Sequence, residues 1–158
     1  MSQRFDVREA APGGYEAMLG LSAYVKASRL EASLRELVKI RVSQINGCAY
    51  CLAMHIAQGR HVGLGEDRMH LLPAWRETSI YTERERAALI WAEAVATLPS
   101  GVVPQDAYDE VRRVFTPGEV ADLTYAVVEI DGWNRLMIAS RTPPEHLTGS
   151  GGKTNESR

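Results

Sequence analysis

Cys48 and Cys51 are the only cysteines in the chain, and they stand as a C-x-x-C pair. His55 follows four residues after the second cysteine, and Glu36 lies upstream in the run Glu36-Leu-Val-Lys-Ile-Arg-Val-Ser-Gln-Ile-Asn-Gly-Cys48. On a helix starting at Cys48, with about 100° per residue, positions 48, 51 and 55 fall within about 60° of one another. One face then carries both sulfurs and the imidazole, with His55 one turn below Cys51. The thiolate, not the thiol, is the nucleophile. The first turn of a helix favours it, because unpaired N–H groups and the positive end of the dipole gather there. His55 can take the thiol proton and return one to a leaving oxygen. Glu36 could fix the imidazole tautomer or act as a base itself. A cysteine three residues away can attack a sulfenic acid on the other and close a disulfide. These are the parts of a thiol peroxidase or a dithiol oxidoreductase.

The same residues admit plainer readings. Glu36 also stands as the third helical residue of a capping box, Ser33-Leu-Arg-Glu36. The two roles are compatible if the carboxylate swings between them. Buried cysteines are commonly inert small hydrophobes. Cys48, Cys51, His55 and Glu36 could also supply four zinc ligands, but on one regular helix they make a cramped tetrahedron and no second C-x-x-C exists. His61 falls on the opposite side of the helix from His55. His70 sits near a helix end and His146 on the approach to the tail, so these three read as surface or boundary residues. Trp75, Trp91 and Trp133 read as core or interface anchors.

The elements that must position this constellation read as helices throughout. Tyr15 to about Ser28 carries Ala17, Met18, Leu21, Tyr24 and Val25 at helical spacing. A second helix starts near Ser33, buries Leu34, Leu37, Val38, Val42 and Ile45, and stops at Asn46-Gly47. A third runs from about Cys48 to Val62 and stops at Gly63, with a short turn of helix around Glu66 to Leu72. Thr82 and Glu85 form a capping box ahead of the stripe Ala88, Trp91, Ala92, Val95 and Leu98. Pro104 suits the first turn of a helix bearing Tyr108, Val111 and Phe115. Thr116-Pro117-Gly118-Glu119 opens a last helix that reaches about Arg141 and is stopped by Pro143-Pro144. Its stripe Val120, Leu123, Val127, Ile130 runs into Asp131 and Asn134, which must find partners, either backbone at a helix crossing or a pocket. No alternating stretch makes a strand. The expectation is an all-α, single-domain bundle of about six or seven helices over residues 1–147, with a disordered polar tail at 148–158.

At 158 residues with 45% hydrophobic and 24% charged, the chain has the composition of one globular domain, which excludes wholesale disorder. A formal charge of −2 leaves no basic excess to neutralise phosphates, so nucleic acid is not an expected partner. No apolar run approaches the ~20 residues that cross a bilayer, and the N-terminus lacks a signal-peptide core. Two cysteines are too few for a secreted disulfide scaffold. The expected location is the cytoplasm.

The run from Leu-Arg-Glu36 to Cys48-Ala-Tyr-Cys51-Leu-Ala-Met-His55 resembles the AhpD-like alkylhydroperoxidases of the carboxymuconolactone decarboxylase superfamily. Ala-Trp75-Arg-Glu-Thr, Thr-Glu-Arg-Glu-Arg-Ala-Ala-Leu and Trp133-Asn134-Arg135-Leu extend the likeness over roughly Phe5 to Arg141. The resemblance implies an all-helical fold that assembles as a homo-trimer or homo-hexamer. It implies reduction of organic hydroperoxides by a cofactor-free dithiol cycle. Cys51 matches the peroxide-attacking cysteine, Cys48 the partner exposed to the reductant, and Glu36 and His55 the proton relay. The implied reductant is a dithiol, a lipoyl group on a carrier protein or a thioredoxin-like protein. Two features depart from the lipoyl-linked members. Tyr50 stands where they carry a histidine before the second cysteine, and the chain is shorter. The true decarboxylases lack the cysteine pair.

Three functional readings therefore compete. The first is the dithiol peroxidase. The second is a redox-sensing or binding protein whose disulfide reports the surrounding poise with little turnover. The third is a decarboxylase-like lyase on a lactone or β-keto acid that uses Glu36 and His55 without the thiols.

Overall fold

A computed structural model describes residues 2–144. The tail expected at 148–158, and His146, lie outside the described residues. Within them the chain is helical, with no strand: α1 (Val7–Ala10), α2 (Pro12–Lys26), α3 (Ala32–Asn46), α4 (Ala49–His61), α5 (Glu66–His70), α6 (Glu83–Thr97), α7 (Gln105–Val114) and α8 (Pro117–Ser140). Short 3-10 segments at Leu72–Glu77 and Pro99–Gly101 join α5 to α6 and α6 to α7. The all-α expectation holds.

Local chemistry sets most boundaries. Thr82 Oγ1 accepts from the Glu85 N–H at 3.2 Å, and Glu85 accepts from the Thr82 N–H at 2.9 Å. Thr116 and Glu119 repeat the arrangement at 3.3 and 2.8 Å. Each such cap is worth ~1 kcal/mol. Gly47 ends α3 in the left-handed region, at φ 70°. Arg141 ends α8 the same way, before the two prolines can act. Several boundaries depart from expectation. α2 begins at Pro12, three residues ahead of Tyr15, because proline at the first helical position is already in helical φ. Pro104 caps α7 from outside rather than occupying its first turn. α1 is a four-residue turn capped by Asp6, too short to show periodicity.

α3 is the central element. It packs on α4, α6 and α8, and Leu37, Val38, Ile40 and Val42 are fully buried. Each such side chain contributes roughly 1.5–3 kcal/mol by leaving water. The larger apolar cluster draws on α2, α3, α6, α7 and α8 and includes both cysteines. A second cluster, around Leu37, Ile40, Met69, Leu72, Trp75 and Leu89, seats α5 and the segment after it. The tryptophans act as anchors with satisfied N–H groups. Trp75 donates to Glu93, Trp91 to Thr124 and Trp133 to Ser22, at 2.9, 3.0 and 2.9 Å. Among the described residues no helix is long and apolar enough to cross a membrane.

Candidate functional site

The α3–α4 corner is built from four consecutive residues. Asn46 closes α3, and Gly47 supplies the left-handed step that no β-carbon obstructs. Cys48 then takes extended backbone as the N-cap of α4, its N–H bonded to the Ser43 carbonyl at 3.1 Å. Its sulfur occupies the place a serine or aspartate oxygen takes at other caps and accepts from the Cys51 N–H at 3.3 Å. The helix therefore begins one residue later than the sequence suggests. Cys48 and Cys51 are joined as a disulfide with their α-carbons 5.4 Å apart. Gly47 and Ala49 on either side are exposed, yet each cysteine is only 1% exposed. Cys48 is thus no more accessible than Cys51, against the expectation taken from the resemblance. As the cap residue it turns its sulfur inward, onto the helix end.

His55 lies one turn beyond Cys51 on α4 and is buried. Its Nδ1 meets Glu36 Oε2 at 2.7 Å. Glu36 is free to do this because α3 starts at Ala32 with Glu31 as its cap, which makes Ser33 a helical residue rather than a cap. The capping-box reading of Ser33 and Glu36 is thereby corrected. With Glu36 ionised, Nδ1–H donates to the carboxylate and Nε2 is the basic nitrogen. The Glu36 side chain is 15% exposed, so this charge-assisted bond forms in a poorly solvated setting that strengthens it.

The polar pair on α8 also finds its partners here, in side chains of α3 rather than backbone. Asn46 Nδ2 donates to Asp131 Oδ1 at 2.8 Å and to Asn134 Oδ1 at 3.0 Å. Asn134 Nδ2 donates to Ser43 Oγ at 3.0 Å. Further along α3, Lys39 Nζ meets Glu129 Oε2 at 2.9 Å, and Ser22 donates to Glu129 Oε1 at 2.6 Å. Glu36, Lys39, Ser43 and Asn46 therefore form one polar seam along α3, spaced three, four and three residues apart. Sequence reasoning passed over Lys39, Ser43 and Asn46. Their spacing from Glu36 was the available signal.

The remaining candidates fall away from the corner. His61 and His70 are exposed, and His70 pairs with Glu66 at 3.7 Å. Among the described residues no group of three or more His, Cys, Asp or Glu is arranged to hold a metal ion.

Comparison with known proteins bears on the family and the fold. The Carboxymuconolactone decarboxylase family model matches residues 12–94. The chain is 41% identical over 139 residues to the uncharacterized protein YdfG of Bacillus subtilis, covering 88% of this chain and 95% of that protein. Among solved structures it is similar to ATU0492 of Agrobacterium tumefaciens, a protein of unknown function with a suggested role as the antioxidant defence protein AhpD. That match has 38% identity and a TM-score of 0.86, covering 89% of this chain and 97% of that one. It also shares its fold with an uncharacterized peroxidase-related protein of Ralstonia eutropha, described as an alkylhydroperoxidase AhpD core. There the TM-score is 0.76 at 21% identity, over 87% of this chain and 73% of that one.

Proposed function

The chain belongs to the carboxymuconolactone decarboxylase family, within which it is AhpD-like, and on that premise we propose that it reduces organic hydroperoxides through a Cys48–Cys51 dithiol cycle. The observation that carries the reading is the pairing of the cysteines at the start of α4 while His55, one turn on, holds Glu36 at 2.7 Å.

The cycle runs in two halves. The Cys51 thiolate attacks the terminal oxygen of the hydroperoxide, and the O–O bond breaks. His55 Nε2 gives a proton to the departing alkoxide, while Glu36 holds the imidazolium through Nδ1. The products are an alcohol and a sulfenic acid on Cys51. The Cys48 sulfur then attacks the Cys51 sulfur, hydroxide leaves as water, and the disulfide forms. Two electrons and two protons pass from the dithiol to the peroxide. A dithiol reductant, a lipoyl group on a carrier protein or a thioredoxin-like protein, returns them by thiol–disulfide exchange. The cycle needs no metal or organic cofactor. The protein works in the cytoplasm as a homo-oligomer, trimer or hexamer.

The test is the intact mass and free-thiol count of reduced protein before and after one equivalent of cumene hydroperoxide. The expected result is loss of two thiols and two hydrogens within seconds. Thiols that survive for minutes would overturn the reading.

A further inference from the structure

The corner that carries Cys48 is fastened by side-chain hydrogen bonds to α8, whose apolar residues share a core cluster with both cysteines. Asn134 of α8 is fully buried, accepts from Asn46 and donates to Ser43. Asp131, one turn earlier, accepts the same Asn46 amide. Asn46 is the last residue of α3, and the Ser43 carbonyl accepts the N–H groups of both Gly47 and Cys48. The covalent route from α3 to Cys48 and the hydrogen bond from the Cys48 N–H to the Ser43 carbonyl thus both pass through residues that α8 grips. An amide fully buried at a helix crossing, with a partly buried amide and carboxylate beside it, is a costly way to hold two helices together where leucines would serve. What they add is a single directional arrangement, one that loose apolar contacts do not enforce.

We propose that Asn134, acting through Asn46 and Ser43 together with Asp131, is a positioning residue that sets the stability of the Cys48–Cys51 disulfide. Joining two thiols is favourable to the extent that the dithiol state already holds them close. A corner fixed from α8 keeps Cys48 over the first turn of α4 in both states, which raises the effective concentration of one sulfur at the other. A corner released from α8 samples more conformations as a dithiol and loses more entropy on closing. The inference rests on the dithiol–disulfide cycle of the proposed function but not on peroxide as the oxidant.

The experiment is a redox titration with dithiothreitol. In it the protein disulfide and reduced dithiothreitol exchange two electrons and two protons for the protein dithiol and oxidised dithiothreitol. It is run at about pH 6, below the ordinary thiol range, for every protein alike. Asn134→Ala and Asn46→Ala are each compared with the parent protein. Asn46 is only partly buried, so its variant keeps the fold if removal of Asn134 does not. Thr116→Ala, which weakens the start of α8 away from the corner, is the stability control. The expected result is a tenfold fall in the equilibrium constant for disulfide formation in both asparagine variants, about 30 mV in potential, with no change in the control. An unchanged constant in a folded Asn46→Ala protein would overturn the proposal, whatever its melting temperature. So would an equal shift in Thr116→Ala. No peroxide enters the titration, so a parent that exchanges normally here but spares hydroperoxides would overturn the peroxidase reading alone.

Discussion

Glu36 and His55 are 19 residues apart in the chain and 2.7 Å apart in space. The bond joins the first half of α3 to the middle of α4 and fixes which imidazole nitrogen is basic. Glu36→Gln keeps the shape and an acceptor for Nδ1–H but cannot stabilise an imidazolium. General acid–base groups contribute roughly 10²–10⁴-fold. His55→Ala should lower kcat/KM for an organic hydroperoxide by that range, and Glu36→Gln by about tenfold or more. Steady-state peroxide consumption measures both. Undiminished turnover in Glu36→Gln would remove the carboxylate from the relay.

The two cysteines have different assignments, and single substitutions separate them. Cys48→Ser should consume one equivalent of hydroperoxide and stop with a sulfenic acid on Cys51, detected by dimedone labelling and mass spectrometry. Cys51→Ser should consume none. The reverse pattern would exchange the roles. That result would carry weight, because Cys48, not Cys51, accepts the helix N–H.

What the sequence revealed of this site followed from how local each signal was. Cys48, Cys51 and His55 sit within two turns, and helical periodicity alone puts them on one face. The caps at Thr82 and Thr116 are equally local, each completed by a glutamate three residues on. Gly47 announces its own left-handed turn. The Glu36–His55 bond was legible only as an option, since spacing could not separate it from a cap with Ser33. That choice depended on where α3 begins, one residue earlier than expected, and boundaries are set by tertiary packing as much as by propensity. The α8 grip on the corner was half visible. Asp131 and Asn134 interrupt an apolar stripe, which says that partners exist but not that they are Asn46 and Ser43, 85 and 91 residues away.

Gly47 holds φ at 70°, and a β-carbon there would meet nothing within 4 Å. The cost of a side chain is therefore purely conformational. Gly47→Ala should destabilise the fold by about 1–2 kcal/mol, and Gly47→Asn by less, because asparagine tolerates this region. Thermal unfolding by circular dichroism checks this, with a fall of roughly 2–8 °C expected for alanine. Equal melting of the alanine and asparagine variants would refute the left-handed corner.

Glu93 ties α6 to α3 and to the segment after α5. Burial pushes its carboxyl up, but hydrogen bonds from Trp75, Arg76 and Arg41 outweigh this and hold it below the usual 4.5. A carboxylate with a depressed folded value stabilises the fold above its unfolded value. That stability is lost as pH falls through the folded one. Glu93→Gln should therefore melt well below the parent at pH 7, and the gap should narrow steadily on acidification below 4.5. A gap independent of pH would mean that the amide loses shape complementarity rather than charge.

The surface between α2 and α8 carries exposed apolar side chains. Tyr24 of α2 and Tyr125 of α8 meet edge to face with ring centres 5.3 Å apart, and Val128 stands one turn from Tyr125. These three side chains remain 47, 49 and 50% exposed. Scattered apolar residues are ordinary on a surface, but adjoining aromatic and branched side chains are the composition of an interface core. Light scattering should give a mass three or six times that of the 17.5 kDa chain. Val128→Lys should move it toward the monomer without changing the helical circular dichroism, because the side chain is only half buried in the isolated chain. A charge at the centre of an apolar interface costs several kcal/mol when it finds no partner. A monomer at micromolar concentration in the parent protein would reject the assembly outright. An assembly indifferent to Val128→Lys would move the interface to another face.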